Sequence, residues 1–497
     1  MQSAIRSVRL SSLLLTMISL ISLPHAPGGA AVSRAATAGP AGQLAGQSRT
    51  APSPVSRPRV FVNYRGEGAV GCRDAGGERA GALKRPSGQS LHVISGGRSA
   101  GRESLTAEAT GLQIVLRATN QLESFPAAKA AFLNAAAAWE SVINTPITIV
   151  VDVDFGPTWF GEKYDSDVLG QTDSQDLGES SIYDEVRGAL VGAAISDERI
   201  SLYNQLPVSA VPTDLGTTSY VVAPSALWRA LGFISPVADP STEENDLGDP
   251  PAVGFNSAFD YDFDPSNGIT SNRIDFDSVA VHELGHVLGF DSNTGYRELV
   301  RSAPVAVSVW DIFRFRPGVT LDAFRTAQRI LSSGGSQDFF DGSKEVALST
   351  GRPDGTGGDR EQASHWKDDR LTGQYVGIMD PTLADGERQV ITENDLAALS
   401  SFGYAVGANQ AGPGTPSITR VSFNGKKLKI TGRGFSGQVE VEINSVAVPT
   451  TAETKVNGSG KKLQIKASQS ELNLHSGSNQ VQVISNGARS NAFNFAL

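Results

Sequence analysis

Two histidines four residues apart, His282 and His286, flank Glu283 in the segment HELGHVLGFDS, residues 282–292. On an α-helix, positions i and i+4 lie on one face, one turn apart, so both imidazoles can hold a single metal ion. Zinc suits that donor set. It lowers the pKa of bound water towards neutrality, and a carboxylate beside the first ligand can take the proton as that water attacks a carbonyl. Glu283 has that place. Gly289 falls where the helix should end, because glycine tolerates the left-handed turn required there. The chain has only six histidines in 497 residues, so composition alone does not produce this pairing.

A catalytic zinc takes three protein ligands and keeps one position open for water. The third ligand is not fixed by the local spacing. Ser292 is a poor zinc ligand, while Asp291 and Glu298 are carboxylates near the helix end. The other histidines are His25, His92, His475 and His365, the last in QASHWKDDR.

Downstream of His365 comes YVGIMDPTLADG, in which Gly377 and Pro381 bend the chain around Met379. HELGHVLGF, then SHW, then GIMDP together resemble the metzincin clan of zinc metallopeptidases, and within it leishmanolysin-like enzymes, whose third histidine follows an insertion. The resemblance spans roughly 255–405 and extends more loosely over 111–254. It implies a zinc ion on His282, His286 and His365, Glu283 as general base, and Met379 in a methionine turn beneath the metal. It also implies protein or peptide substrates. The chain departs from the eukaryotic relatives in lacking their disulfide framework, since Cys72 is its only cysteine.

Two further features have competing readings. Asp260, Asp262 and Asp264 alternate in DYDFDPSNG, as oxygen ligands for calcium or as a polar hairpin; Gly268 is not where a helix–loop–helix calcium site has its glycine. Cys72 is either an unpaired surface thiol or, as the resemblance implies, a thiolate that fills the open zinc position of a zymogen.

The elements expected to position these groups form an α+β metzincin-like catalytic domain, a mixed twisted sheet plus the active-site helix, over 111–405. GLQIVLRA reads as a strand. SFPAAKAAFLNAAAAWESVI reads as a helix with Ser124 as N-cap, Pro126 in the first turn and a core stripe of Phe132, Ala136, Trp139 and Ile143. PITIVVDVDF is a β-branched strand, PVADPSTEENDLGDPP an acidic loop and AVGFNSAFDYDF another strand. Between ligands, PVAVSVWDIFRF is strand-like and LDAFRTAQRIL helix-like, an ordered insertion able to shape the cleft. ITENDLAALSSFGY reads as a closing helix capped by Thr392.

Residues 1–30 read as a signal peptide, with Arg6 and Arg9 before a short apolar stretch, so a secreted or cell-surface location is expected. Residues 31–110 read as a poorly ordered linker or pro-segment. After a Gly/Pro-rich junction near 406–416, residues 413–497 alternate like an all-β immunoglobulin-like sandwich and resemble an IPT/TIG domain. That region has ten Lys+Arg and four Asp+Glu, a net of +6; this basic face is either a contact with an anionic cell surface or simply solvated. The whole chain is acidic, with a net charge of −10, which argues against nucleic-acid binding. No segment after the leader is long and apolar enough for a transmembrane span.

Overall fold

The computed structural model describes residues 50–407 and 417–497 apart from short stretches, of which 75–89 and 95–110 are the longest. Residues 1–30, read above as a signal peptide, and the junction at 408–416 lie outside the described residues.

The fold is mixed α+β. Its main sheet contains eight strands: β1 (Val60–Arg65), β2 (Ala69–Asp74), β3 (Leu91–Val93), β4 (Gln113–Thr119), β5 (Thr148–Gly156), β6 (Val168–Asp173), β7 (Ala252–Asn256) and β8 (Thr382–Ala384), in the spatial order β8-β2-β1-β6-β7-β5-β4-β3. β4, β5 and β7 are mutually parallel; the pairs β7·β6, β6·β1, β1·β2, β2·β8 and β4·β3 are antiparallel. β5 is buried along its whole length, as a β-branched strand covered on both faces should be. The two acidic residues on it are paired: Asp152 with Arg117 at 2.6 Å, Asp154 with the Thr119 hydroxyl at 2.5 Å.

Helices cover the sheet. α1 (Pro126–Glu140) buries Phe132, Ala136 and Trp139 and packs on α2 (Phe276–Leu288), where the Trp139 indole donates to the Val281 carbonyl at 2.9 Å. α1 starts at Pro126 as expected, but Ser124 does not cap it; Phe125 takes the N-cap position and Ser124 lies in a preceding 3-10 turn. α3 (Glu393–Ser401) has Thr392 at its N-cap in a capping box with Asp395.

Three expectations need correction. Residues 31–110 are not uniformly loose, since β1, β2 and β3 belong to the main sheet and Ser53–Pro54 pairs with Leu177–Gly178. β1 and β2 pair with each other, and β1 gains its place in the main sheet from β6, a hundred residues downstream. The acidic stretch 236–251 contains a helix, Pro240–Leu247, capped by Asp239. LDAFRTAQRIL forms turns rather than a helix, because the buried Arg329 guanidinium takes the Phe324 and Ala327 carbonyls at 2.8 Å each.

Among the described residues of 417–496, the strands form two sheets, of four and five strands. They enclose their own cluster, with Leu428, Ile430, Leu463 and Ile465 from one sheet and Val441, Ile443, Val481 and Val483 from the other. Among the described residues, no helix is long and apolar enough to cross a membrane.

Candidate metal centre

α2 carries His282, Glu283 and His286, and all three are buried. The helix stops at Gly289, whose φ of +124° suits glycine. The reversal brings the Phe290 carbonyl back to His286 Nδ1 at 2.7 Å. His365 arrives from the far end of the insertion. Buried Arg314 donates to the carbonyls of Ser349 and Ala363, and the Ser349 amide donates to the His365 carbonyl at 3.1 Å. Trp366 then anchors the segment: its amide donates to the Met379 carbonyl at 3.0 Å and its indole to Asp395 at 2.7 Å. The insertion is ordered, as expected.

The three imidazoles converge. Their ring centroids lie 5.0 to 5.1 Å apart, and His282 Nε2 is 3.2 Å from His365 Nε2. Each Nδ1 faces a backbone carbonyl: His282 that of Ile378 at 2.8 Å, His286 that of Phe290 at 2.7 Å, His365 that of Gln362 at 2.8 Å. A carbonyl only accepts, so each Nδ1 must donate. Burial holds the His282 pKa down to about 4 and that of His365 well below its usual value, so both rings are neutral. Each therefore presents an unprotonated Nε2, and two such lone pairs at 3.2 Å repel unless a cation lies between them. Tetrahedral zinc with Zn–N bonds of about 2.05 Å places its nitrogens roughly 3.3 Å apart. The donor set fits zinc, and the carbonyls that accept from Nδ1 fix each tautomer.

Cys72, on β2, completes the group. Its Sγ lies 3.7 Å from His286 Nε2, and one ligand atom from each of Cys72, His282, His286 and His365 falls within 4.8 Å of the others. A Zn–S bond of about 2.3 Å in the same geometry gives an S···N separation near 3.6 Å. The thiol is buried, not at the surface.

Glu283 is fully buried beside this group. Its Oε1 accepts from Asn63 Nδ2 at 2.8 Å and lies 4.0 Å from His282 Nε2. Burial pushes its carboxyl up to about 7, opposed by contacts from Thr172, Asn63 and Cys72.

Met379 lies under α2: a β-carbon on Gly285 would stand 2.4 Å from its sulfur. The other third-ligand candidates are engaged elsewhere. The Ser292 hydroxyl donates to Asp311 at 2.5 Å, Asp291 Oδ1 is 3.5 Å from the Ser364 hydroxyl, and Glu298 accepts from the amide and hydroxyl of Ser333 at 2.7 Å each. His92 pairs with Glu123 at 2.6 Å. His475 lies in the loop before the C-terminal strand Ser478–Ser485, and His25 lies outside the described residues. Asp260, Asp262 and Asp264 do not converge as ligands among the described residues; Asp262 instead accepts from the Asp264 and Thr270 amides at 3.0 Å each, the polar-turn alternative. Sequence reasoning missed Asn63, Phe61 and Asp395. Phe61 stacks on His286 with centroids 3.6 Å apart. Nothing local to VFVNY marks its residues as neighbours of a helix more than two hundred positions away.

No protein-family model matches the chain, and no curated protein matches it. Among solved structures, SGBP-B from a complex xyloglucan utilization locus in Bacteroides uniformis is similar at 16% identity over 19% of this chain and 24% of that chain, with a TM-score of 0.14. The match therefore spans about a quarter of that protein's length.

Proposed function

We propose that this protein is a secreted zinc-dependent endopeptidase of metzincin-like, leishmanolysin-like type. The observation that carries the reading is the pair of neutral Nε2 atoms of His282 and His365 facing each other at 3.2 Å, with Glu283 alongside. When bound, zinc would polarise the scissile carbonyl and acidify the attacking water. His282, His286 and His365 would hold the ion, and their carbonyl partners keep the rings in register. Glu283 takes the proton from the attacking water and returns it to the leaving amine. Met379 supports the base of the site. The C-terminal sheets, read as an IPT/TIG-like immunoglobulin sandwich, supply a basic face for cell-surface contact.

A second reading has one observation in its favour. Cys72 with three histidines makes a closed four-ligand set, the pattern of structural zinc, which fits a secreted binding or adhesion protein. A structural site has no use for Glu283, whereas a latent enzyme uses both groups. On the processed secreted form, Glu283→Ala is expected to keep stoichiometric zinc and lose chelator-sensitive casein cleavage. Undiminished cleavage by that variant would overturn the mechanism.

A further inference from the structure

The two C-terminal sheets carry opposite charge on their outer faces. Their strands include β9 (Ser417–Phe423), β10 (Lys427–Arg433), β11 (Val439–Ile443), β12 (Glu453–Val456) and β13 (Lys462–Lys466). One sheet has the order β9-β10-β13-β12, and β11 belongs to the other. Leu428 and Ile430 of β10 and Leu463 and Ile465 of β13 enter the core, so with a period of two their neighbours face outward. Lys427 and Lys429 of β10 and Lys462 and Lys466 of β13 are among those neighbours. Lys455 of β12 stands opposite Gln464 of β13 and shares that face. Four of the five lysines are exposed, and Lys427 is half-buried. On the other sheet, β11 buries Val441 and Ile443 and turns Glu440 and Glu442 outward.

The lysines are crowded. Lys427 stands directly opposite Lys466, and like charges so placed, with β-carbons about 5 Å apart, destabilise a sheet. In the register Glu453 falls opposite Lys466, one acid among five lysines. An anionic partner laid over the sheet relieves that repulsion.

We infer, building on the reading of these sheets as a surface-contact module, that the lysine face of β10, β12 and β13 binds an acidic polysaccharide, a polymer of hydroxylated sugars with repeated carboxylate or sulfate groups. An ammonium on a flexible stem is a compact charge with rotatable donors, so it follows anions of varied orientation along a polymer. Thr431 and Gln464 stand among the lysines, opposite Lys462 and Lys429, and offer a hydroxyl and an amide to sugar hydroxyls. A bilayer surface is held by apolar side chains that sink below the headgroups, and a single-stranded nucleic acid by aromatic side chains that stack on its bases. The outward positions of β10 and β13 carry neither kind.

The test measures binding of the full chain to dextran sulfate, with neutral dextran, phosphatidylglycerol vesicles and duplex DNA alongside. Dextran sulfate binds, and its affinity falls as salt is added. Lys427→Glu, Lys429→Glu and Lys462→Glu combined set like charge against the polymer and weaken binding more than about tenfold. Those side chains lie at the surface, so the melting temperature is unchanged. Glu440→Gln with Glu442→Gln, on the far face, shifts the affinity less than about twofold at physiological salt, where charges beyond about 8 Å are screened. Undiminished binding in the lysine variant would overturn the inference, and so would neutral dextran bound as well as the sulfated polymer. Vesicles or DNA held more tightly than dextran sulfate would overturn the polysaccharide and leave the basic contact face standing. Binding to none of the three anionic probes would overturn both.

Discussion

Gly285 and Met379 meet in the middle of the site: a β-carbon at 285 would come within 2.4 Å of the methionine sulfur. The glycine lies between His282 and His286 on α2, so the contact sets the depth of the helix over the turn. The next residue back from Met379, Ile378, offers the carbonyl that faces His282 Nδ1. Helix, turn and ligand orientation are thereby one packed unit.

Gly285→Ala overfills this contact. Overpacking of a tight core costs about 1–3 kcal/mol, so the variant should melt earlier and bind zinc more weakly than the natural protein. Thermal denaturation with and without zinc checks this. An unchanged melting temperature and unchanged zinc affinity would show that the sulfur has room to move.

Asp395 joins α3 to the segment that carries His365. It is fully buried and accepts from the Trp366 indole, the Ile378 amide and the Thr392 amide, at 2.7, 2.9 and 2.7 Å. Asp395→Ala leaves those donors unpaired, at about 1–3 kcal/mol for a buried group left without its partner. The expected outcome is a less stable protein with weakened zinc binding, read by chemical denaturation and by zinc titration against a competing chelator.

Zinc should stabilise the fold, because the site gathers ligands from segments far apart in the chain. With free zinc a thousandfold above the dissociation constant, linkage gives about 4 kcal/mol. His365→Ala should weaken zinc binding by more than about a hundredfold, beyond what the loss of a hydrogen-bond partner behind a ligand costs. Stoichiometric, tight zinc in that variant would exclude His365 as a ligand.

Stability should also depend on pH through two acidic side chains near the Met379 turn. Burial, with Asp369 and Asp368 nearby, holds Asp380 up to about 8; burial and then Asp368 hold Glu361 up to about 7. Unfolded, both titrate near their ordinary values of 3.8 and 4.5. Between those values and the folded ones the native state binds more protons, so stability is greatest below the unfolded values and falls as pH rises through the folded ones. Asp380→Asn should flatten that fall, as measured by denaturant unfolding at a series of pH values. An identical slope in the variant and the natural protein would remove Asp380 from the account.

Much of the site was legible because its signals are local. The i, i+4 histidines, the glycine stop at Gly289, the Pro126 start of α1 and the Thr392 cap each depend on a few adjacent residues. The failures have a common physical origin in distant partners. LDAFRTAQRIL has helical spacing, yet Arg329 takes its carbonyls. VFVNY looks like a loose apolar run until β6 pairs with it.

The sequence by itself determined the donor types and the helix that presents two of them, because a helix turn places i and i+4 together regardless of context. Only the tertiary structure decided which distant groups join them. His365 comes to the site through Arg314, Trp366 and Asp395, and Cys72 and Asn63 come through strand pairing. Such contacts depend on burial and on hydrogen-bond partners remote in sequence, and neither is written in residue spacing.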